Sequence, residues 1–334
     1  MTNYIIRRVL AAFVILFVLS IAVFALLRIA PGNAELLQAG GGMPTKAQLD
    51  ALRAEKGLDK PYFPVSVNPI DPPFITFHSD NQYWLWAKGI IRLDPGKSQL
   101  TKEPIRDSII NRMPTTIELL ILTMTTIILI GIPAGIISAL YRNSALDVGV
   151  RFMAILALSV PSFWVATMVL LIPAEIWGYA PPSIGKTIPI WQNPWNNIRQ
   201  FGPPAIILGL ASAGGIMRLT RSSLLEVLRA DYVRTARAKG LRDRIVVYRH
   251  ALKNVLIPVI TVLGLEFSGL LGGTLFVEII FSIKGLGKYT FEAILRKDYN
   301  VVQAMALYIG VIVVFTQLAI DVMYAWIDPR IRYS

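Results

Sequence analysis

Cysteine is absent from the 334 residues, and histidine occurs twice, as His78 and His250. Without thiolates, disulfide scaffolds and Cys-ligated zinc or iron–sulfur centres are excluded, and two histidines nearly exclude a His-based metal cluster. Charge is scarce as well: Asp, Glu, Lys and Arg make up 16% of the chain, against 54% hydrophobic residues. That balance is too apolar for an ordinary water-soluble domain and points to a protein of the bilayer. Acidic residues are the rarer sign, 21 against 33 Lys and Arg. In a membrane chain such an excess collects on cytoplasmic loops, so it does not by itself imply nucleic acid.

A helix needs about 17 to 25 apolar residues to cross a bilayer, and such stretches occur six times. They cover residues 9–27, 119–141, 152–174, 201–217, 255–277 and 301–320. Backbone groups in lipid must be satisfied within the segment, so these are read as helices. The first follows the Arg7-Arg8 pair, is longer than a usual signal core, and precedes no convincing small-x-small cleavage site, so it is expected to be an uncleaved span.

Short loops carrying Lys and Arg orient the spans. From Arg218 to Lys253 there are ten Lys or Arg against Glu226, Asp231 and Asp243, which assigns this loop to the cytoplasm. Counting spans outward puts both termini inside, in agreement with Arg7 and Arg8 at one end and Arg330 and Arg332 at the other. One short cluster, Lys284, Lys288, Arg296 and Lys297, disagrees, because it must then be external. The expected divisions are a first span within 1–30, an external region over 31–113, and a five-helix core over 114–334 whose cytoplasmic loop is 218–255.

Prolines stiffen the outer segments: Pro61, Pro64, Pro69, Pro72 and Pro73 precede Trp84 and Trp86, and Pro181, Pro182, Pro189 and Pro194 surround Trp191 and Trp195. Proline fixes φ and donates no hydrogen bond, so ordered extended loops or short helices are expected there.

The cytoplasmic loop is the most informative stretch. Leu224, Leu225 and Leu228 recur at helical spacing, Tyr232, Val233 and Ala236 continue the pattern, and Gly240 is suited to end the helix. This predicts a short amphipathic helix at the membrane surface and a return helix from about Asp243. From the residues alone the loop reads either as a lipid-facing basic segment or as a docking surface for a cytoplasmic protein.

These residues resemble the membrane-spanning subunit of bacterial binding-protein-dependent ABC importers, specifically the oligopeptide/dipeptide permease branch. DYVRTARAKGL (231–241), RHALKNVLIPVIT (249–261), RLTRSSLLEVL before them and the terminal DPRIRY look like that branch. So do RMPTTIEL, SVPSFW, GLLGGTLFVE and FSIKGLG, all in the right order along nearly the whole chain. The resemblance implies an all-α membrane protein with six transmembrane helices, the type I ABC importer architecture, and an external insertion between spans 1 and 2.

In that family the loop is the coupling segment, seated in a cleft of an ATPase subunit. Carried over, it comprises Asp231, Tyr232, Val233, Arg234, Thr235, Ala236, Arg237, Ala238, Lys239, Gly240 and Leu241. The general motif is Glu-Ala-Ala, three residues, then Gly; here Arg234 and Thr235 replace the first two, and Ala236 and Gly240 match. A contact that needs a carboxylate at 234 is therefore in doubt. Ala236, Ala238 and Gly240 are small enough to admit another protein close to the backbone, while the Arg and Lys side chains can pair with acidic groups.

DPGKS, residues 94–98, holds Gly-Lys-Ser, yet a phosphate-binding loop needs a further glycine where Ile91 stands. No ATP site, catalytic residue or metal is expected in this chain. The resemblance implies a second homologous permease, two ATPase subunits that carry ATP and Mg, and an extracytoplasmic solute-binding protein, in the bacterial cytoplasmic membrane with its lipid. Oligopeptides lead as substrate, with oligosaccharides and nickel as alternatives; a secondary transporter or channel is the reading from another class.

Ionisable groups within spans are functional candidates because charge in lipid is costly. Glu118, Glu278 and Asp321 fall near span ends, where interfacial solvation is expected. Glu266, near the middle of the fifth span, is the pathway candidate, joined by Pro161, Ser162 and Trp164 of SVPSFW, where Pro161 is expected to kink the third span. Glycines 264, 269, 272 and 273 are expected to permit close helix packing. Five tryptophans, Trp84, Trp86, Trp177, Trp191 and Trp195, lie in the outer half; interfacial anchoring is the plain reading. The sharper one has Trp84, Trp86, Trp191 and Trp195 facing a binding protein or substrate.

Overall fold

The computed structural model describes residues 2–29, 59–67, 75–178 and 187–327. The terminal DPRIRY, Pro69, Pro72, Pro73, Pro181, Pro182 and much of the external region lie outside these residues.

Apolar runs dictate the architecture. Helix α1 (Thr2–Ile29) is followed by a hairpin of β1 (Val65–Val67) and β2 (Ile75–Phe77), then α2 (Gln82–Ile91) and α3 (Ile105–Leu140). Next come α4 (Ala145–Ser159), α5 (Ser162–Trp177), α6 (Pro194–Val227) and α7 (Asp231–Ala238). The one-turn α8 (Asp243–Ile245) runs through a π-helical segment (Val246–Ala251) into α9 (Leu252–Gly273). The described chain closes with α10 (Leu275–Ile280), α11 (Leu286–Leu295) and α12 (Tyr299–Ile327). Five helical stretches are long and apolar enough to cross a membrane, and the α4–α5 pair makes a sixth if counted as one broken span.

The third span departs from expectation. Pro161 does not kink one helix; it separates two that meet at 92°. The residue before a proline is pushed towards extended backbone, and Val160 sits at φ −95°, ψ 124°, where α4 ends. α5 restarts at Ser162, with Trp164 and Val165 donating to the Pro161 carbonyl. The second and fourth spans extend well beyond their apolar cores, as helices of 36 and 34 residues.

The chain divides into two compact units. The first comprises 1–8, 112–288 and 315–334. Within it α6 packs along α3, α4 and α9, and missing side chains make the approach close. A Cβ added to Gly131 or Gly135 of α3 would press on Ala213, Ile216, Met217 or Thr220 of α6, and one on Gly214 would press on Ala154 and Leu158. Of the glycines expected to pack closely, Gly264 does, against Ile320, whereas Gly269 faces open space. A core of Leu119, Ala166, Phe201, Leu208, Val277 and Phe281 closes the other end. Phe152, Met153 and Phe163 stay exposed, which suits lipid as the surrounding solvent.

The second unit comprises 9–111 and 289–314. Phe24 of α1 is fully buried among Phe63, Tyr83 and Trp86, with ring centroids 5.4 to 5.6 Å from it. Tyr83 shares a 2.8 Å hydrogen bond with Ser20, so α2 is fixed to the end of the first span. A second knot forms where buried Asp298 accepts from Ser98 and the backbone of Gln99.

Candidate functional site

α6 stops at Val227 and three residues lead to α7, so Leu224 and Leu225 belong to the long span helix, not to the surface helix expected from their spacing. α7 ends as the glycine predicts. Gly240 takes φ +77°, its N–H donates to the Arg237 carbonyl at 2.9 Å, and the Leu241 N–H reaches back to Ala236 at 3.4 Å. This paired closure satisfies carbonyls that a helix end leaves bare.

The same helix has two unlike faces. Val233 and Ala236 point inward onto Val246, Val227 and Leu228. The expectation that Ala236 admits another protein to the backbone is therefore corrected: its methyl is used inside this chain, and Val233 likewise supports the segment from within. Asp231, Tyr232, Arg234, Thr235, Arg237, Ala238, Lys239, Gly240 and Leu241 are exposed. Two polar tethers hold α7 to the return helix: Arg237 Nε donates to Asp243 at 3.0 Å, and Asn254 donates to the Tyr232 hydroxyl at 2.7 Å. Arg234, at the position where a carboxylate is the general rule, stands open to solvent with its nearest acid, Asp231, 3.5 Å away on the same helix.

Below this platform lies a charged knot that sequence reading passed over. Asp147, fully buried at the start of α4, accepts from Ser138, from the Asn143 backbone, and from Arg221 of α6 through Nε at 3.0 Å and Nη2 at 2.9 Å. Arg151 approaches the same carboxylate at 3.3 Å. The two-pronged Arg–carboxylate geometry fixes orientation as well as distance. Its available signal was Ser144 three residues before Asp147, a helix-start pattern whose cap bond is present.

Within the spans the pathway candidates separate. Glu266 of α9 accepts from Ser212 of α6 at 2.8 Å. Ser162 and Trp164 instead line an apolar cavity of about 1020 Å³ walled by α3, α4, α5 and α6, and Glu266 is not among its lining residues. Pro161 is exposed at the break.

The three carboxylates expected to be solvated are all engaged. Glu278 is fully buried, taking Thr116 at 3.0 Å, Thr274 at 3.2 Å and the Lys288 backbone at 2.8 Å. Gly285 and Gly287 lie so close to its carboxylate that a Cβ would collide with it. Asp321 pairs with Arg8 at 3.0 Å, and Glu118 accepts from Asn197.

The tryptophans also divide. Trp86 is turned into the Phe24 cluster, so its outward role is corrected. Trp84, Trp177, Trp191 and Trp195 are exposed, Trp195 with the Arg199 guanidinium 4.7 Å from its ring.

The described residues form a helical bundle with several membrane-length apolar helices and an exposed short helix between two of them, and comparison with known proteins gives the class. Residues 131–333 match the binding-protein-dependent transport system inner membrane component, and residues 1–120 match its N-terminal model. The chain belongs to this family of binding-protein-dependent transport permeases. It is 37% identical over 352 residues to the dipeptide transport system permease protein DppB of Alkalihalophilus pseudofirmus, with all of both chains covered. Identity is 33% over 334 residues, again end to end, to the oligopeptide permease AppB of Bacillus subtilis and to the glutathione permease GsiC of Escherichia coli. Among solved structures, an inward-facing MetNI methionine ABC transporter chain aligns with a TM-score of 0.54 at 17% identity, covering 66% of this chain and 96% of that one. The fold is that of the type I importer permeases.

Proposed function

We propose that this chain is one permease of an ATP-driven peptide importer, working with a second homologous permease, two ATPase subunits and an extracytoplasmic solute-binding protein. The observation that carries the reading is α7: a short helix clamped to its own return helix, capped by Gly240, and presenting Arg234, Thr235, Ala238 and Lys239 outward. A segment held this firmly transmits a push instead of absorbing it. ATP and Mg belong to the partner subunits; DPGKS lacks the glycine a phosphate loop requires. Peptides are favoured because the end-to-end relatives are named for dipeptide, oligopeptide and glutathione transport.

ATP-driven closure of the partners would press on α7 and rock the spans between inward- and outward-facing states. Coupling requires that α7 contact the two ATPase states differently, since equal affinity shifts no equilibrium. The basic segment 218–255 orients the chain in the bacterial cytoplasmic membrane with both termini inside. The test is gentle affinity purification from the native membrane with identification of bound subunits. Recovery of a second permease and ATPases with hydrolytic activity is the expected result; a chain that transports alone would overturn the reading.

A further inference from the structure

A carboxylate inside a membrane span is costly unless a cation or several donors compensate it. Glu266 has one donor. The Ser212 hydroxyl occupies Oε2 at 2.8 Å, and Oε1 has no partner among the described residues. No Lys or Arg pairs with Glu266 among them, whereas Asp231, Asp243 and Asp321 each have one and Asp147 has two.

The two helices that meet here run antiparallel, since Val227 of α6 packs near Val246 at one end while Ser212 meets Glu266 further along. One helical turn beyond Ser212 is Gly215, and one turn beyond Glu266 is Gly269. A Cβ built on either meets no atom within 4 Å, so both sides of the polar pair are open. Elsewhere on the same helices Gly209 and Gly214 are pressed against α3 and α4 and Gly264 against α12, while Gly202 makes only an ordinary contact with Ile198. The helix pair thus leaves space beside the Glu266 carboxylate, whose second oxygen has no partner among the described residues.

We infer that Glu266 and Ser212 form an acceptor subsite for the protonated N-terminal amine of a peptide in transit. An ammonium group supplies what Oε1 lacks, a charged donor able to approach to about 2.7–2.9 Å. The open glycine positions leave room for the adjoining peptide backbone. The inference rests on the peptide-importer reading above and names the feature of the peptide that the span recognises.

The absence of native cysteine permits a direct test on the whole importer complex. Gly215→Cys places a reporter thiol in the open space, with Gly269→Cys serving if the first does not assemble. Its alkylation by a small methanethiosulfonate reagent is timed with alanine oligopeptides of two to five residues and with their N-acetylated counterparts. At about ten times the dissociation constant the free-amine peptides should slow labelling about tenfold. The acetylated peptides should not, and Glu266→Gln should abolish the protection while Glu266→Asp keeps part of it. Equal protection by both peptide sets, protection that survives Glu266→Gln, or no protection at all would overturn the subsite. Loss of the second permease on Glu266→Gln would also overturn it, by assigning the carboxylate to a subunit interface. Uptake of the same peptides is measured alongside: its absence would fail the importer reading, and uptake without Glu266-dependent protection would fail the subsite alone.

Discussion

At the scale of single residues, Gly240 separates two reasons for needing glycine. Its backbone is left-handed at φ +77°, yet a Cβ there meets nothing among the described residues. The requirement within the chain is therefore conformational, and a β-branched residue should cost about 1–2 kcal/mol of local strain. Gly240→Asn, which tolerates that conformation, should retain peptide-stimulated ATP hydrolysis in the complex, while Gly240→Val should lose much of it. Equal loss in both would mean that a partner's close approach, and not backbone geometry, sets the requirement. Asp147 makes the contrasting case, because its value lies in what surrounds it. Asp147→Ala strands Arg221, Ser138 and the Asn143 amide, and should lower stability by about 1–3 kcal/mol. A thermal unfolding series in detergent would read this, with Arg221→Lys falling between, since lysine keeps the charge and loses the fork.

At the scale of elements, α7 turns a run of eleven candidate residues into a surface and its support. Single cysteines at Ala238 and at Ala236 should behave differently in inverted membrane vesicles lacking ATPase: the first labelled by an impermeant thiol reagent, the second resistant. In intact cells neither should react, and labelling of Ala238→Cys from outside would reverse the proposed topology. The spans, the return helix at Asp243 and the Gly240 cap were legible in the sequence, because apolar length and glycine conformation are local properties. What was not legible depends on distant partners. Glu278 lies at the end of an apolar run and reads as interfacial, yet Thr116, more than a hundred and fifty residues earlier, buries and satisfies it. Trp86 and Trp84 are two positions apart and indistinguishable by type; which one turns inward is decided by Phe24 and Phe63. Pro161 showed where a bend would fall but not that two helices would meet there at 92°, each packed on the distant α6.

For the whole molecule, the division of labour makes a plain prediction. The purified chain alone should neither bind nor hydrolyse ATP, and hydrolysis should appear only when the partner subunits are restored. Nucleotide hydrolysis by the isolated chain, free of contaminating subunits, would contradict the assignment. The family relation and the fold converge here by separate routes, one through end-to-end relatives and one through the MetNI transporter chain at 17% identity.

The π-helical segment Val246–Ala251, lying between the clamped α7 and the span that carries Glu266, has a consequence of its own. A π turn holds a surplus residue relative to α geometry. Removing one residue anywhere in a regular helix rotates everything beyond it by about 100° and withdraws it by 1.5 Å. Inside Val246–Ala251 the same deletion should only tighten the turn, leaving Glu266 and Ser212 in register. The chain thus carries one residue of slack between its proposed drive point and the Glu266 carboxylate.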